Sequence, residues 1–331
     1  MTTPRLSVIV IAYDMPRQAL NTLYSLSTAY QEDVRADDYE VIVVENRSAR
    51  VMDADAIAKL PGNFRYILRN EPGVSPAAAI NLAAREARGD FLCLMIDGAR
   101  LVTPGVVRYA LEAQTIDRDA LVVAPGFHLG EHEQQFHATK GYSEEKEQEL
   151  LASIDWRRNG YRLFEISCLS GANPHGWFHP FMECNCLFLS RRVWDDIGGA
   201  DERFDLPGGG AINLAIYRRA ASHPKARLFV LPGEGSFHQL HGGVTTSEVP
   251  EREDLLKRIG DQLNELLGER YRAPTLQPTL LGRVPAAAFS FLGHSVERGL
   301  RREKICAKTG DPMYAEELLK HPRQTQAPTS E

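Results

Sequence analysis

Four polar tips punctuate the first hundred residues. Short apolar, β-branched runs end at Ala12-Tyr13-Asp14, Glu45-Asn46, Arg69-Asn70 and Asp97-Gly98-Ala99. A phenol, two amides and several carboxylates gathered in this way suit a polar small ligand, and carboxylates can also hold a hard cation. Further along lie two isolated carboxylates, Glu183 in FMECNCLFL and Asp205 before PGGG, and two histidines, His238 and His241, in SFHQLHGG. His175 and His179 are spaced four apart in NPHGWFHP, but Pro174, Gly176 and Pro180 exclude a helix, so a loop is expected there.

The elements that must position these groups follow from periodicity. Residues 6–12, 39–44, 64–68 and 91–96 read as strands buried on both faces, as in parallel sheets. Helices are expected between them: 16–29, opened by Pro16; a short one at 53–60; and the Ala-rich stretch 75–88, stopped by Gly89. Strands that alternate with helices predict a doubly wound parallel sheet. Such sheets bind ligands at the carboxyl ends of their strands, which is where all four tips fall. Another helix is expected at 104–114 and another strand at 121–127. A polar segment at 128–165 follows, with a helix that Ser143 can cap. Next come a strand at 184–190, a short helix at 191–197, a glycine-rich turn and helix at 207–221, and a last core strand at 226–233.

Composition narrows the function classes. The 331 residues are 43% hydrophobic and 25% charged, as in ordinary globular proteins, with a formal net charge of −6. That charge argues against a duplex nucleic-acid binder. The five cysteines, Cys93, Cys168, Cys184, Cys186 and Cys306, are odd in number and scattered, so no disulfide framework is expected. Cys184 and Cys186 would share one face of a strand and are two ligands short of a structural zinc site. The N-terminus, MTTPRLSVIVIAY, lacks signal-peptide features, and no apolar run reaches the ~18 residues of a membrane span, so a cytoplasmic location is expected.

Four segments, in order, carry a family likeness: SVIVIAYDMPRQAL, YEVIVVENRS, RNEPGVSPAAAINLAAREARGDFLCLMIDGA, and LSRRVWDDIGGADERFD followed by GGGAINLAIYRR. Over about residues 5 to 245 the chain resembles the family 2 glycosyltransferases of the GT-A fold. The resemblance implies a Rossmann-like, mostly parallel sheet flanked by helices over residues 1–245, with an acceptor-side insertion at about 128–165. A helical extension is expected at 246–318, and a disordered tail at 319–331. It implies inverting, hexosyl-type transfer from a nucleotide-sugar, with UDP- or dTDP-sugars favoured. The acceptor would be a glycan or lipid-linked molecule in surface polysaccharide synthesis. By the same resemblance Ala12, Tyr13, Asp14, Glu45, Asn70, Asn81 and Asp97 would line the nucleotide-sugar site.

Three departures from the family pattern bear on the chemistry. Ala99 stands where the second Asp of Asp-x-Asp would ligate a metal, Ile80 replaces an Arg, and Gly210-Ala211 replaces the Glu-Asp that supplies the general base. Glu45 is one methylene longer than the usual Asp. The resemblance also implies a His metal or diphosphate ligand after the last core strand, which makes Asp97 and His238 the expected ligand pair for Mg²⁺ or Mn²⁺. Glu183 and Asp205 are the candidate bases, with Glu183 preferred because Phe181 and Met182 imply partial burial and a raised pKa. Trp156, Trp177 and His241 are candidate acceptor contacts, and the 173–180 loop is expected to lie over the acceptor. The lost motif residues also motivate an alternative, a GT-A-like protein that binds nucleotide-sugar or glycan without turnover. The mixed apolar and arginine-rich stretch 279–302 fits a helix packed on the core or on a second subunit. The other reading is a peripheral contact at the inner face of a membrane.

Overall fold

The computed structural model describes residues 3–71, 75–134, 141–242 and 252–310. Its centre is β1 (Leu6–Ala12), every residue of which is buried. β1 pairs in parallel with β2 (Tyr39–Asn46) on one side and β4 (Phe91–Met95) on the other, and β2 pairs in parallel with β3 (Phe64–Arg69). The register sets Ala12 beside Glu45 and Asn46 beside Arg69, so the predicted tips share one edge. Among the described residues this sheet has eight strands in the order β12-β10-β6-β9-β4-β1-β2-β3. Here β6 is Ala120–Val123, β9 is Leu187–Ser190, β10 is Arg227–Val230 and β12 is Thr279–Leu280. β9 runs antiparallel to both of its neighbours, while the other pairings in this sheet are parallel. The mostly parallel α/β architecture expected from the sequence is therefore the one observed.

The first helices fall where the pattern placed them: α1 (Pro16–Ser25), α2 (Ala54–Ala58), α3 (Ala77–Glu86) and α4 (Val106–Ile116). α3 packs on β1 and β2, and α4 on β6. The apolar faces of strands and helices merge into one core that runs the width of the sheet.

The single strand expected at 121–127 is two strands in different sheets. β6 ends at Val123, the chain turns at Ala124-Pro125, and β7 (Gly126–Leu129) enters a second sheet of order β5-β11-β7-β8. Its other members are β5 (Arg100–Val102), β8 (Ser167–Leu169) and β11 (Ser236–His238). These strands are three or four residues long, too short to show a period. The chain passes from the large sheet to the small one three times: from β4 to β5, from β6 to β7 and from β10 to β11.

A separate aromatic core lies under the small sheet. Phe127 stacks on Phe237 with ring centroids 5.1 Å apart, and Phe164 meets Phe127 edge-on at 5.2 Å. The 141–166 stretch supplies much of it: α5 (Glu144–Ser153), capped by Ser143 through a bond from the Lys146 N–H, and a 3₁₀ turn at Gly160–Ile166. Leu151, Ile154, Trp156 and Phe164 all join this cluster.

Cys184 and Cys186 precede β9 rather than lying in it, and all five cysteines are free. After β9 come α6 (Arg191–Asp196), α7 (Ile212–Ala221) and α8 (Arg252–Leu267). α8 buries Ile259 and Leu263 in the main core. The 279–302 stretch forms β12 at the sheet edge and then α9 (Phe289–Thr309). α9 packs on the 173–178 loop: Ser295 Oγ accepts from the Trp177 N–H, and the His294 ring lies 3.0 Å from the Pro174 carbonyl. Its outer stripe of Phe289, Val296 and Leu300 is exposed. Among the described residues no helix is long and apolar enough to cross a membrane. The tail expected at 319–331 lies outside the described residues.

Candidate active site

Asp97 leaves the large sheet at the carboxyl end of β4 and begins the first crossing. Gly98 allows that crossing to hug β1, because a Cβ there would sit 2.5 Å from the Ile11 carbonyl oxygen. The Ala99 N–H donates to Asp97 Oδ1 at 3.1 Å and fixes the carboxylate at the turn. β5 then pairs antiparallel with β11, and the register sets Arg100 opposite His238. Asp97 and His238, 141 positions apart in sequence, thereby meet: His238 Nε2 is 2.7 Å from Asp97 Oδ2. His241, three residues on, brings its Nε2 to 3.4 Å from Asp97 Oδ1 and 3.2 Å from His238 Nε2. Arg100 Nε lies 3.4 Å from Asp97 Oδ2.

The protonation states favour cation binding. Burial works against the Asp97 carboxylate, but the facing imidazoles overcome it and hold its pKa well below the usual range. Burial drives the His238 pKa down to about 4 against the pull of Asp97, so the ring is neutral at pH 7. Two Nε2 atoms and a carboxylate oxygen thus converge, with the ligand atoms of Asp97, His238 and His241 all within 4.8 Å of one another. Mixed imidazole and carboxylate donors of this kind can hold a divalent transition-metal ion, the carboxylate being the donor that suits Mn²⁺. The residues present therefore fit a metal, with His241 lying beside the expected pair Asp97 and His238.

The two candidate bases separate. Glu183 is half-buried; burial raises its pKa, Arg100 opposes the rise, and the charge of Asp97 adds to it, so it shares the field of this corner. Asp205 is exposed and accepts from Gln262 Nε2 of α8 at 2.9 Å.

The expected nucleotide-sugar residues are distributed unevenly. Ala12 and Glu45 sit at the right edge of the sheet, and Tyr13 is 49% exposed there. Asp14, in a left-handed backbone conformation (φ 55°), pairs with Arg50 at 3.2 Å. Asn70 accepts from Arg47 Nε at 2.5 Å. Glu45, however, is fully buried, and its carboxylate accepts from the Met52 N–H at 3.0 Å and the Tyr66 hydroxyl at 2.5 Å. The extra methylene lets it fold back and brace its own loop. Asn81 is also committed internally: it bonds both the N–H and the carbonyl of Ala200, and Glu202 as well.

Two acceptor assignments do not survive. Trp156 is 2% exposed and packs edge-on against Tyr24 and Tyr30 in the aromatic core, and Trp177 is completely buried in the main core. Neither offers a ring face to a sugar. Sequence reasoning missed Arg100 and underused His241. Their signals were slight: a basic residue three after Asp97, and a second histidine three after the first.

The model for Glycosyl transferase family 2 matches residues 7–182, more than half of the chain. Among solved structures, residues 1–349 of S. aureus TarS in complex with UDP-GlcNAc are similar, with a TM-score of 0.50 at 13% identity; the match covers 97% of this chain and 79% of that one. The same fragment in complex with UDP gives a TM-score of 0.47 at 13% identity, over 80% of this chain and 72% of that one. No curated protein sequence matches significantly. The TarS likeness is one of fold. The family match and the strand-tip site agree, and this chain belongs to glycosyl transferase family 2.

Proposed function

We propose that this chain is a nucleotide-sugar-dependent, inverting glycosyltransferase that uses a UDP- or dTDP-sugar and a glycan or lipid-linked acceptor. One observation carries the reading: the convergence of Asp97, His238 and His241 at the carboxyl end of β4, beside the tips of β1 and β2. These three residues would hold a Mg²⁺ or Mn²⁺, which offsets the negative charge of a donor diphosphate. The position of His241 compensates for Ala99. The binding of UDP-GlcNAc by TarS supports a UDP-sugar as the donor to test first. Glu183 takes the proton of the acceptor hydroxyl as that oxygen attacks the anomeric carbon, the bond from that carbon to the diphosphate oxygen breaks and the nucleoside diphosphate leaves; the raised pKa of Glu183 makes it a stronger base than an ordinary carboxylate. Arg100 keeps Asp97 oriented.

The test is thermal stabilisation by UDP, dTDP and GDP, with and without Mn²⁺. Stabilisation by one pyrimidine nucleotide, enlarged by Mn²⁺ and lost in His238→Ala, is the expected result. Equal response to all three nucleotides, or to none, would sink the proposal. The replacement of the motif residues by Ala99, Ile80 and Gly210-Ala211 favours a second reading, a binding protein without turnover. Slow UDP release from a UDP-sugar, abolished in Glu183→Gln, separates the two, since a mere binder releases none.

A further inference from the structure

We infer that Glu147, on helix α5, is a positioning residue for the His238–His241 pair. The inference rests on the reading of Asp97, His238 and His241 as a cation site. Only two residues separate the histidines, so the path of the backbone at Gln239 and Leu240 decides whether their rings face the same carboxylate. That backbone is held from three directions. The Leu240 N–H donates to Glu147 Oε2 at 2.5 Å, and the Leu240 carbonyl accepts from Gln18 Nε2 of α1 at 2.6 Å. The Gln239 N–H donates to the Ala99 carbonyl at 2.8 Å, which ties the loop to the turn that presents Asp97. The Gln239 side chain completes the fastening: its Nε2 donates to the Gln18 carbonyl at 2.9 Å, and its Oε1 accepts from Asn21 Nδ2 at 3.0 Å.

Glu147 is the costly member of this set. Its side chain is 0% exposed, and besides the Leu240 N–H it meets Arg17 at 3.4 Å and the Tyr142 hydroxyl. A buried carboxylate of this kind is a poor way to gain stability. It is, however, a short and directional acceptor for a single N–H, and that N–H lies between two ligands. Groups that orient metal ligands from behind typically change metal affinity about 10- to 100-fold when removed. Helix α5 thus serves the site from beneath, through the backbone of the histidine loop.

The experiment measures Mn²⁺ affinity by calorimetry, and metal-free thermal stability, for the full chain and four variants. Glu147→Ala and Glu147→Asp remove or withdraw the acceptor; Asp keeps the charge, so it separates reach from electrostatics. Both are expected to weaken Mn²⁺ binding about 10-fold or more. Glu147→Gln restores an acceptor of the same length without charge and is expected to bind within about threefold of wild type. Phe188→Ala opens a cavity in the main core, away from α5 and Leu240, and is expected to lower stability while leaving Mn²⁺ affinity unchanged. Wild-type affinity in a folded Glu147→Asp overturns the inference, as does a loss in Phe188→Ala that matches that of the Glu147 variants. If wild type itself binds no Mn²⁺, the cation reading falls first and the role of Glu147 falls with it.

Discussion

The large and small sheets divide the work in opposite ways. The large sheet is long, buried and parallel, and it brings one reactive group, Asp97, to the corner while fixing the plane in which the strand tips meet. The small sheet is built from strands of three or four residues, yet it delivers His238 and the loop that carries His241. Its own stability comes from aromatic packing rather than from long hydrogen-bonded ladders. The lesson is that the element with the weakest local identity carries the most position-sensitive chemistry, because neighbours hold it in place.

The largest expected effects test that division directly. Phe237→Ala empties the aromatic core, and Phe188→Ala empties the main core where that ring stacks on Phe91; each should cost about 3 to 5 kcal/mol in chemical denaturation. At temperatures where both remain folded, only Phe237→Ala should weaken Mn²⁺ binding. Equal weakening would erase the distinction between the sheets. Next in size, Asp97→Asn and His238→Ala should each lower transfer activity about 100-fold or more, with little change in melting temperature. Activity retained in both would dismantle the cation corner.

A pH experiment sharpens the comparison further. Glu234 fastens the ends of the small sheet by accepting from the Thr103 hydroxyl, from the Gly105 N–H at 3.1 Å and from the Tyr161 hydroxyl at 3.0 Å. Burial raises its pKa from 4.5 to about 7, against those bonds. A raised acid pKa means that its contribution to stability is complete below about pH 4.5 and is lost as the pH climbs through about 7. The loss should be on the order of 3 kcal/mol. Glu234→Gln should flatten that part of the stability–pH curve whatever its absolute stability; an unaltered slope would remove Glu234 as its source. The smallest effect belongs to the helix cap. Ser143→Ala should cost about 1 kcal/mol, read as a modest fall in melting temperature.

The same division explains what was legible in the sequence. LSVIVIA and YEVIVV announce themselves because continuous β-branched runs have few alternatives to a buried strand. Pro16 and Ser143 mark helix starts through local chemistry that tertiary structure left intact. Asp97 and His238 could be nominated, but their meeting depends on the pairing of β5 with β11, a non-local event encoded in six residues. Glu45 was misread because strand position says where a side chain begins and not which way a longer one folds. Trp156 and Trp177 were misread for a related reason: a bulky aromatic in a polar stretch is equally suited to a sugar face and to a private core, and burial chose the core.

Three short crossings stitch the sheets together, and the longest of them, Leu231–Gly235, has five residues. A hinge between two bodies needs one narrow seam about which to swing; three seams along different strands leave no common axis. The corner itself is therefore a fixed bracket whose geometry is set once, at folding.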